Sequence, residues 1–223
     1  MANHGVYVSQ QATSVSTPVV ANSGIPFVVG VAPVQSAAAP AAPGTPVLCT
    51  SWKEAVEKLG YSEDWVSYPL CEFMYSHFQL FGCQPVIFCN VLDTSSMTSA
   101  QGASDLNVED HKVKLPIAAI DDANLVVKQE GGSGSTYVKD SDYSTYYDGE
   151  FLVVEVLPDG DAYAASKLNI AYKKVTPESV NDAAVASGME SIELCLTTLG
   201  IVPDLICAPG HSQASTVAAV MAT

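Results

Sequence analysis

The 223-residue sequence contains no arginine; all nine of its basic residues are lysine, set against 24 acids, for a formal net charge of −15. A nucleic-acid binder displaces counterions with a basic patch and reads bases best with arginine, so direct contact with nucleic acid is not expected. An anionic membrane surface repels such a chain for the same reason. Between Met1 and Trp52 there is no charged side chain of either sign. Long hydrophobic runs are missing too. The longest, such as Pro85–Leu92, are strand-sized, well short of the ~20 residues of a spanning helix. The start of the chain has no basic stretch leading into an apolar core and does not read as a secretory signal. The six cysteines, at 49, 71, 83, 89, 195 and 207, form no CxxC or other zinc-ligand spacing. Each sits in an apolar run, so six reduced, buried thiols are expected. Hydrophobic residues make up 48% and charged residues only 15%, a globular composition whose sparse charge leaves much surface for partners.

Within the uncharged region, Gly5, Val6, Tyr7 and Val8 alternate like a short strand, followed by a Ser/Thr/Gln-rich stretch. Residues 1–22 read as an extended arm that reaches at most ~75 Å. Two readings stand: a frayed terminus, or a strand that adds to a neighbour's sheet. Ile25–Ala32 and Pro85–Leu92 are near-continuous apolar runs, as in strands buried on both faces. Val47–Cys49 is a short strand candidate. Ser51-x-x-Glu54 is a capping box opening a helix that Gly60 closes. The spacing of Leu70, Phe73, Met74, His77, Phe78 and Phe81 predicts one helix over Leu70–Phe81 with a continuous apolar stripe.

Thr94–Asn107 changes character and turns Ser/Thr/Gly-rich. Short strands then follow at Val113–Leu115, Leu125–Gln129, Tyr137–Lys139, Phe151–Val156 and Leu168–Tyr172, separated by Gly-rich and Asp-Gly turns. Asp105–Asp182 holds 15 acids against 7 lysines, which is −8 of the −15. Thr176-Pro177-Glu178 is expected to cap a helix ending near Gly188. A helix over Ser191–Leu199 with Ile192, Leu194–Leu196 and Leu199 inward, a buried strand at Asp204–Ala208 and a helix over Ser212–Met221 complete the chain. The expected class is α/β with an inserted β-rich domain: a mixed, mostly parallel sheet flanked by helices, plus a small antiparallel β-barrel or sandwich. The expected segments are the arm at 1–22, an α/β part at 23–104, an acidic β-rich insertion at 105–187 and an α/β continuation at 188–223.

Signals for chemistry are thin. Gly131-Gly-Ser-Gly134 lacks the Lys-Ser/Thr of a P-loop and reads as a hairpin turn. Asp204, His211 and Ser212 invite a triad, but there is no GxSxG elbow. His77 reads as a satisfied core or interface histidine. The acid pairs Glu63-Asp64, Glu109-Asp110 and Asp121-Asp122 read as solvated faces. Asp140-Ser-Asp142 and Asp159-Gly-Asp161 are fragments of a calcium loop at most. No catalytic, cofactor or metal site is assigned, and no enzyme is expected.

The ordered set of segments nevertheless resembles a known family. Gly5-Val-Tyr-Val8, Ser23-Gly-Ile-Pro-Phe-Val-Val-Gly-Val-Ala-Pro33 and Val47-Leu-Cys-Thr-Ser-Trp-Lys-Glu-Ala-Val-Glu-Lys-Leu-Gly60 come first. Tyr75-Ser-His-Phe78, Pro85-Val-Ile-Phe-Cys-Asn-Val-Leu-Asp93 and Val202-Pro-Asp-Leu-Ile-Cys-Ala-Pro-Gly210 follow. Together they are similar to the contractile tail sheath proteins of bacteriophages, prophages and phage-tail-like particles. The resemblance implies a structural subunit in a virion tail, assembled in the host bacterial cytoplasm. Its partners would be neighbouring sheath subunits, joined by strand exchange through the arm at Gly5–Val8, the inner tail tube protein and the baseplate. It implies no cofactor, and an insertion that faces outward. Sheath subunits of this type continue beyond the Ala-Pro-Gly strand end, so the sequence is expected to be the N-terminal portion of a longer protein or a natural truncation. The competing readings are a surface or adhesin-type binding module that uses the acidic β-domain, and an α/β hydrolase remnant.

Overall fold

The computed structural model describes residues 24–223. The expected arm, with Gly5, Val6, Tyr7 and Val8, lies outside the described residues. The described chain is mixed α/β, with one mixed sheet, two antiparallel sheets and short helices. Among the described residues no sheet closes into a barrel.

The apolar run after Gly24 forms β1 (Pro26–Gly30). Next come β2 (Pro46–Cys49), α1 (Trp52–Leu59), α2 (Pro69–Met74) and β3 (Val86–Asn90). Every residue of β1 and β3 is buried. Alternate side chains enter two separate cores, as expected for strands covered on both faces. Phe27, Val29, Ile87 and Cys89 enter one, and Val28, Val86 and Phe88 enter the other.

Helix α1 begins as its sequence dictates. Ser51 Oγ accepts the Glu54 N–H at 3.3 Å, and Glu54 reaches back to the Thr50 N–H at 2.9 Å. Gly60 ends it at φ 71°, donating its N–H to Val56 O at 2.9 Å. The single helix expected over Leu70–Phe81 is corrected. α2 stops at Met74, and Tyr75–Leu80 continues as wider, π-type turns. These hold more residues per turn, so positions that share an α-helical stripe drift apart. Leu80 and Phe81 consequently end 60% and 74% exposed.

Between β3 and the next helix the chain forms β4 (Thr98–Asn107), β5 (Lys112–Pro116), β6 (Val126–Gln129), β7 (Tyr143–Asp148), β8 (Phe151–Val156) and β9 (Lys167–Val175). One antiparallel sheet runs β4-β9-β6 and the other β5-β8-β7. Their apolar faces share one core, with Val113, Leu115, Leu152, Val154, Leu168 and Ile170. Tyr137–Lys139 is not a strand; its one isolated bridge joins Lys139 to Tyr143, the first residue of β7. β4 was hidden because its residues lack apolar alternation, and its partner β9 supplies the buried side chains. It begins at Thr98, ahead of the expected segment boundary at 104/105.

Thr176-Pro177 starts only a single 3-10 turn over Pro177–Ser179. The helix that follows, α3 (Asp182–Glu190), is capped instead by Asn181, whose Oδ1 accepts the Ala184 N–H at 2.9 Å. The chain closes with β10 (Leu205–Cys207) and α4 (Ser215–Met221). Ser212 is not the cap of α4; Ala214 holds that position without a side-chain bond. The sheet order is β10-β1-β3-β2, with β10 and β3 parallel to β1 and β2 antiparallel to β3.

α3 ends at Glu190, near Gly188 as expected. Gly188 lies inside the helix, against the sheet. A Cβ there would overlap Val91 Cγ1 and stand 2.8 Å from Val29 Cγ1. Only glycine lets α3 approach β1 and β3 this closely. Gly188→Ala is expected to destabilise the fold by about 1–3 kcal/mol, because overpacking forces the two valines or the helix to shift. Urea unfolding measures this, and a change below ~0.5 kcal/mol would contradict the close approach.

The mixed-sheet part and the two antiparallel sheets are tied by polar contacts. Glu150, in the β7–β8 turn, accepts the Ser62 hydroxyl and the Glu63 N–H, each at 2.6 Å. Gln35 Nε2 donates to Ile117 O at 3.0 Å.

Candidate assembly surface

The sequence-level candidates for chemistry are scattered by the fold. Asp204 does not meet His211. Its Oδ2 accepts the N–H groups of Gly24 at 2.7 Å and Ile25 at 3.0 Å, closing the start of β1 against β10. His211 Nδ1 instead lies 2.7 Å from Asp182 Oδ1. His77 stacks on Phe73 with ring centroids 3.9 Å apart, and its Nδ1 is 3.2 Å from Phe73 O. Burial pushes its pKa down, which favours the neutral ring. Among the described residues no group of three or more His, Cys, Asp or Glu side chains could hold a metal ion.

The Gly131–Gly134 loop is a turn after β6. Its Gly131 N–H is already taken by Asp105 Oδ1 at 3.0 Å, so a carboxylate occupies the place where a phosphate would need an amide. The two calcium-loop fragments meet each other through backbone amides. Asp142 Oδ1 accepts the Asp161 N–H at 2.9 Å and Oδ2 accepts the Val138 N–H at 2.7 Å.

The expectation of six buried thiols is corrected at two. Cys49, Cys71, Cys89 and Cys195 are buried, Cys207 is half-buried and Cys83 is exposed. Cys83 sits in the loop that follows the π-type turns, where the helical stripe has already left the core. Burial pushes Cys71 and Cys49 up to about 12 and Cys89 up to about 11. Those thiols therefore stay protonated and poorly nucleophilic at neutral pH.

What remains is a surface at the β10 edge of the mixed sheet. β10 pairs with β1 from Pro26↔Leu205 to Val28↔Cys207, and among the described residues no strand lies on its other side. It is not the fully buried strand expected from its sequence, since Leu205 is 55% exposed. Val202 is exposed as well. Leu194 and Leu196, expected to point inward, are exposed too, but their segment packs against β2, at the opposite edge of the sheet. Cys195 between them is buried, and three consecutive helical residues cannot all face one core; π-type turns over Cys195–Leu199, ended by Gly200, follow. A groove of about 360 Å³ beside β10 is lined by Met189, Ile192, Ile206, Val220 and Met221 together with the acidic Glu190 and Glu193. Unpaired backbone groups next to exposed aliphatic side chains are what an added strand requires.

Gly24, where the described chain begins, is held to Asp204 at the start of β10. The described chain therefore begins beside this edge. Sequence reasoning named the β10 segment but missed its openness, which depends on strand order. Among the described residues no helix is long and apolar enough to cross a membrane. No protein-family model matches this chain, and no curated protein matches it.

Proposed function

We propose that the chain is a structural subunit of a contractile tail sheath. Such a subunit polymerises helically around an inner tube and contracts to drive the tube through a target envelope. The observation that supports this most is the open β10 edge with its apolar rim, beside the point where the described chain begins. The ordered segments that resemble sheath proteins support it from the sequence. In this reading the sheet and its helices are the sheath domain, and the two antiparallel sheets form an insertion that faces solvent. Its acidity fits a water-facing position: Asp105–Asp182 carries −8 of the net −15.

An arm without charges loses little hydration when it is buried, and backbone bonds hold it with little demand on sequence. Neighbouring subunits would stay linked by such arms while their bodies reorient between two packings. The inner tube and the baseplate are the other partners. No catalytic step is needed.

Deleting residues 2–18 is the test. In particles that carry this protein, the deletion is expected to abolish sheaths in electron micrographs, while the far-ultraviolet circular dichroism of the purified chain stays the same. Sheaths of normal length and number from the deleted protein would overturn the reading.

A further inference from the structure

We infer that the free edge of β4 pairs with β4 of a second copy of this chain, joining two insertions through one continuous antiparallel sheet. β4 is ten residues long and pairs only with β9; among the described residues its other edge faces no strand. Ala100–Asp105 are all exposed. Natural edge strands are usually guarded by lysine, proline or inward charge. Thr98–Asn107 contains no lysine and no proline, and its single charge is Asp105.

A bulge shifts the register between Gln101 and Ser104, leaving a regular ladder on each side, Thr98–Gln101 and Ser104–Asn107. The strand is self-complementary about that bulge. With a two-fold axis between Gly102 and Ala103, Thr98 faces Asn107 of the second copy and Ala100 faces Asp105 of the second copy. Side chains then match by face. Ala100 lies across from Lys173, and Asp105 across from Asn169, on the face of the sheet turned away from Leu168 and Ile170.

Charge places the second copy there rather than another occupant. Lys173 forms no ion pair among the described residues. Asp105 uses Oδ1 for the Gly131 N–H and for Asn169 Nδ2 at 2.7 Å; Oδ2 has no partner among the described residues. In the paired sheet, Lys173, Ala100 and Asp105 of the second copy form one cross-strand row. Two strand spacings, about 10 Å, separate the outer pair, and an extended lysine and an aspartate close that gap over the small Ala100 methyl. The two-fold axis makes this ion pair twice. An uncharged strand would leave both groups unpaired, and an acidic peptide would meet Asp105.

Each copy carries −15, so the contact forms against repulsion and is weak. A two-fold contact closes on itself and cannot propagate a helical row, so it belongs to unassembled copies and is independent of the tail-sheath reading.

Sedimentation equilibrium of the purified chain tests it. Concentrations from about 10 µM to 1 mM suit a contact smaller than the ~1,200 Å² of standard interfaces. The wild-type chain is expected to approach twice its monomer mass. Ala100→Glu changes an exposed residue, so circular dichroism should be unaltered, while dimerisation weakens by ~10-fold or more as like charges meet across the strands. Asp105→Lys and Lys173→Asp should each weaken it about 10-fold, and the double swap should restore it to within ~3-fold of wild type. A monomer throughout the range, an Ala100→Glu chain that dimerises like wild type, or a double swap as weak as either single change would overturn the proposal. So would loss of association on deleting residues 2–18, which would assign the contact to that segment.

Discussion

Phe88→Ala is expected to remove about 3–5 kcal/mol of stability, the range for truncating a fully buried aromatic residue. Phe88 lies in β3, between Val28 of β1 and Val47 of β2, and is 0% exposed. Its ring meets Phe73 edge-on and Phe78 at a tilt, both with centroids 6.2 Å away. Those two rings come from α2 and the π-type turns after it. Three elements would therefore line the cavity, and none can close it without moving from the sheet. Urea unfolding should show the midpoint falling with the slope unchanged. A loss under ~1 kcal/mol would mean that this face of the sheet is not the packed core described.

Asn90→Leu is expected to be of similar size by a different route. Asn90 ends β3 and is fully buried. Its Oδ1 accepts the N–H groups of Ala32 at 3.1 Å and Leu92 at 3.2 Å, and its Nδ2 donates to Leu92 O at 2.9 Å. The amide therefore supplies three backbone groups where β1 and β3 leave the sheet together. Leucine matches its branching but is bulkier and bonds none of them. An unsatisfied buried group costs about 1–3 kcal/mol, so three give a loss of about 3 kcal/mol or more. Asn90→Asp keeps the acceptor and loses the donor, so it separates hydrogen bonding from packing. Its carboxylate would be buried against the Leu92 carbonyl oxygen without a cation. Asn90→Asp is therefore expected to be well below wild type at neutral pH and to recover part of the loss as the carboxyl protonates at lower pH. Equal stability of Asn90→Leu and wild type would contradict the network.

Much of the α/β layer was legible because its signals are local. Ile25–Ala32 and Pro85–Leu92 are continuous apolar runs, and only strands covered on both faces can bury such runs. Ser51, Glu54 and Gly60 mark the ends of α1 by the bonds their own atoms make. The Asp148-Gly149 turn signal marked the β7–β8 connection although β7 itself was not recognised, because Tyr143–Asp148 alternates only weakly. Two helices were misread for different reasons. Wider turns at Tyr75–Leu80 displace Phe81 from a stripe drawn at α-helical spacing, whereas Leu194, Cys195 and Leu196 are consecutive and cannot share one helix face. β4 was illegible for the opposite reason. It has no buried face of its own to write a pattern, and β9 holds it by backbone bonds that any sequence can make.

The sequence alone determined the charge-free first 52 residues, the acidic middle, both double-covered strands, and the absence of arginine. These follow from composition and from periods a few residues long. Only the tertiary structure decided that β4 and β10 are edges, that Asp204 closes the start of β1, and that His211 meets Asp182. Each of these depends on which distant segments become neighbours. An edge is defined by the strand that is not beside it, and no local pattern records that.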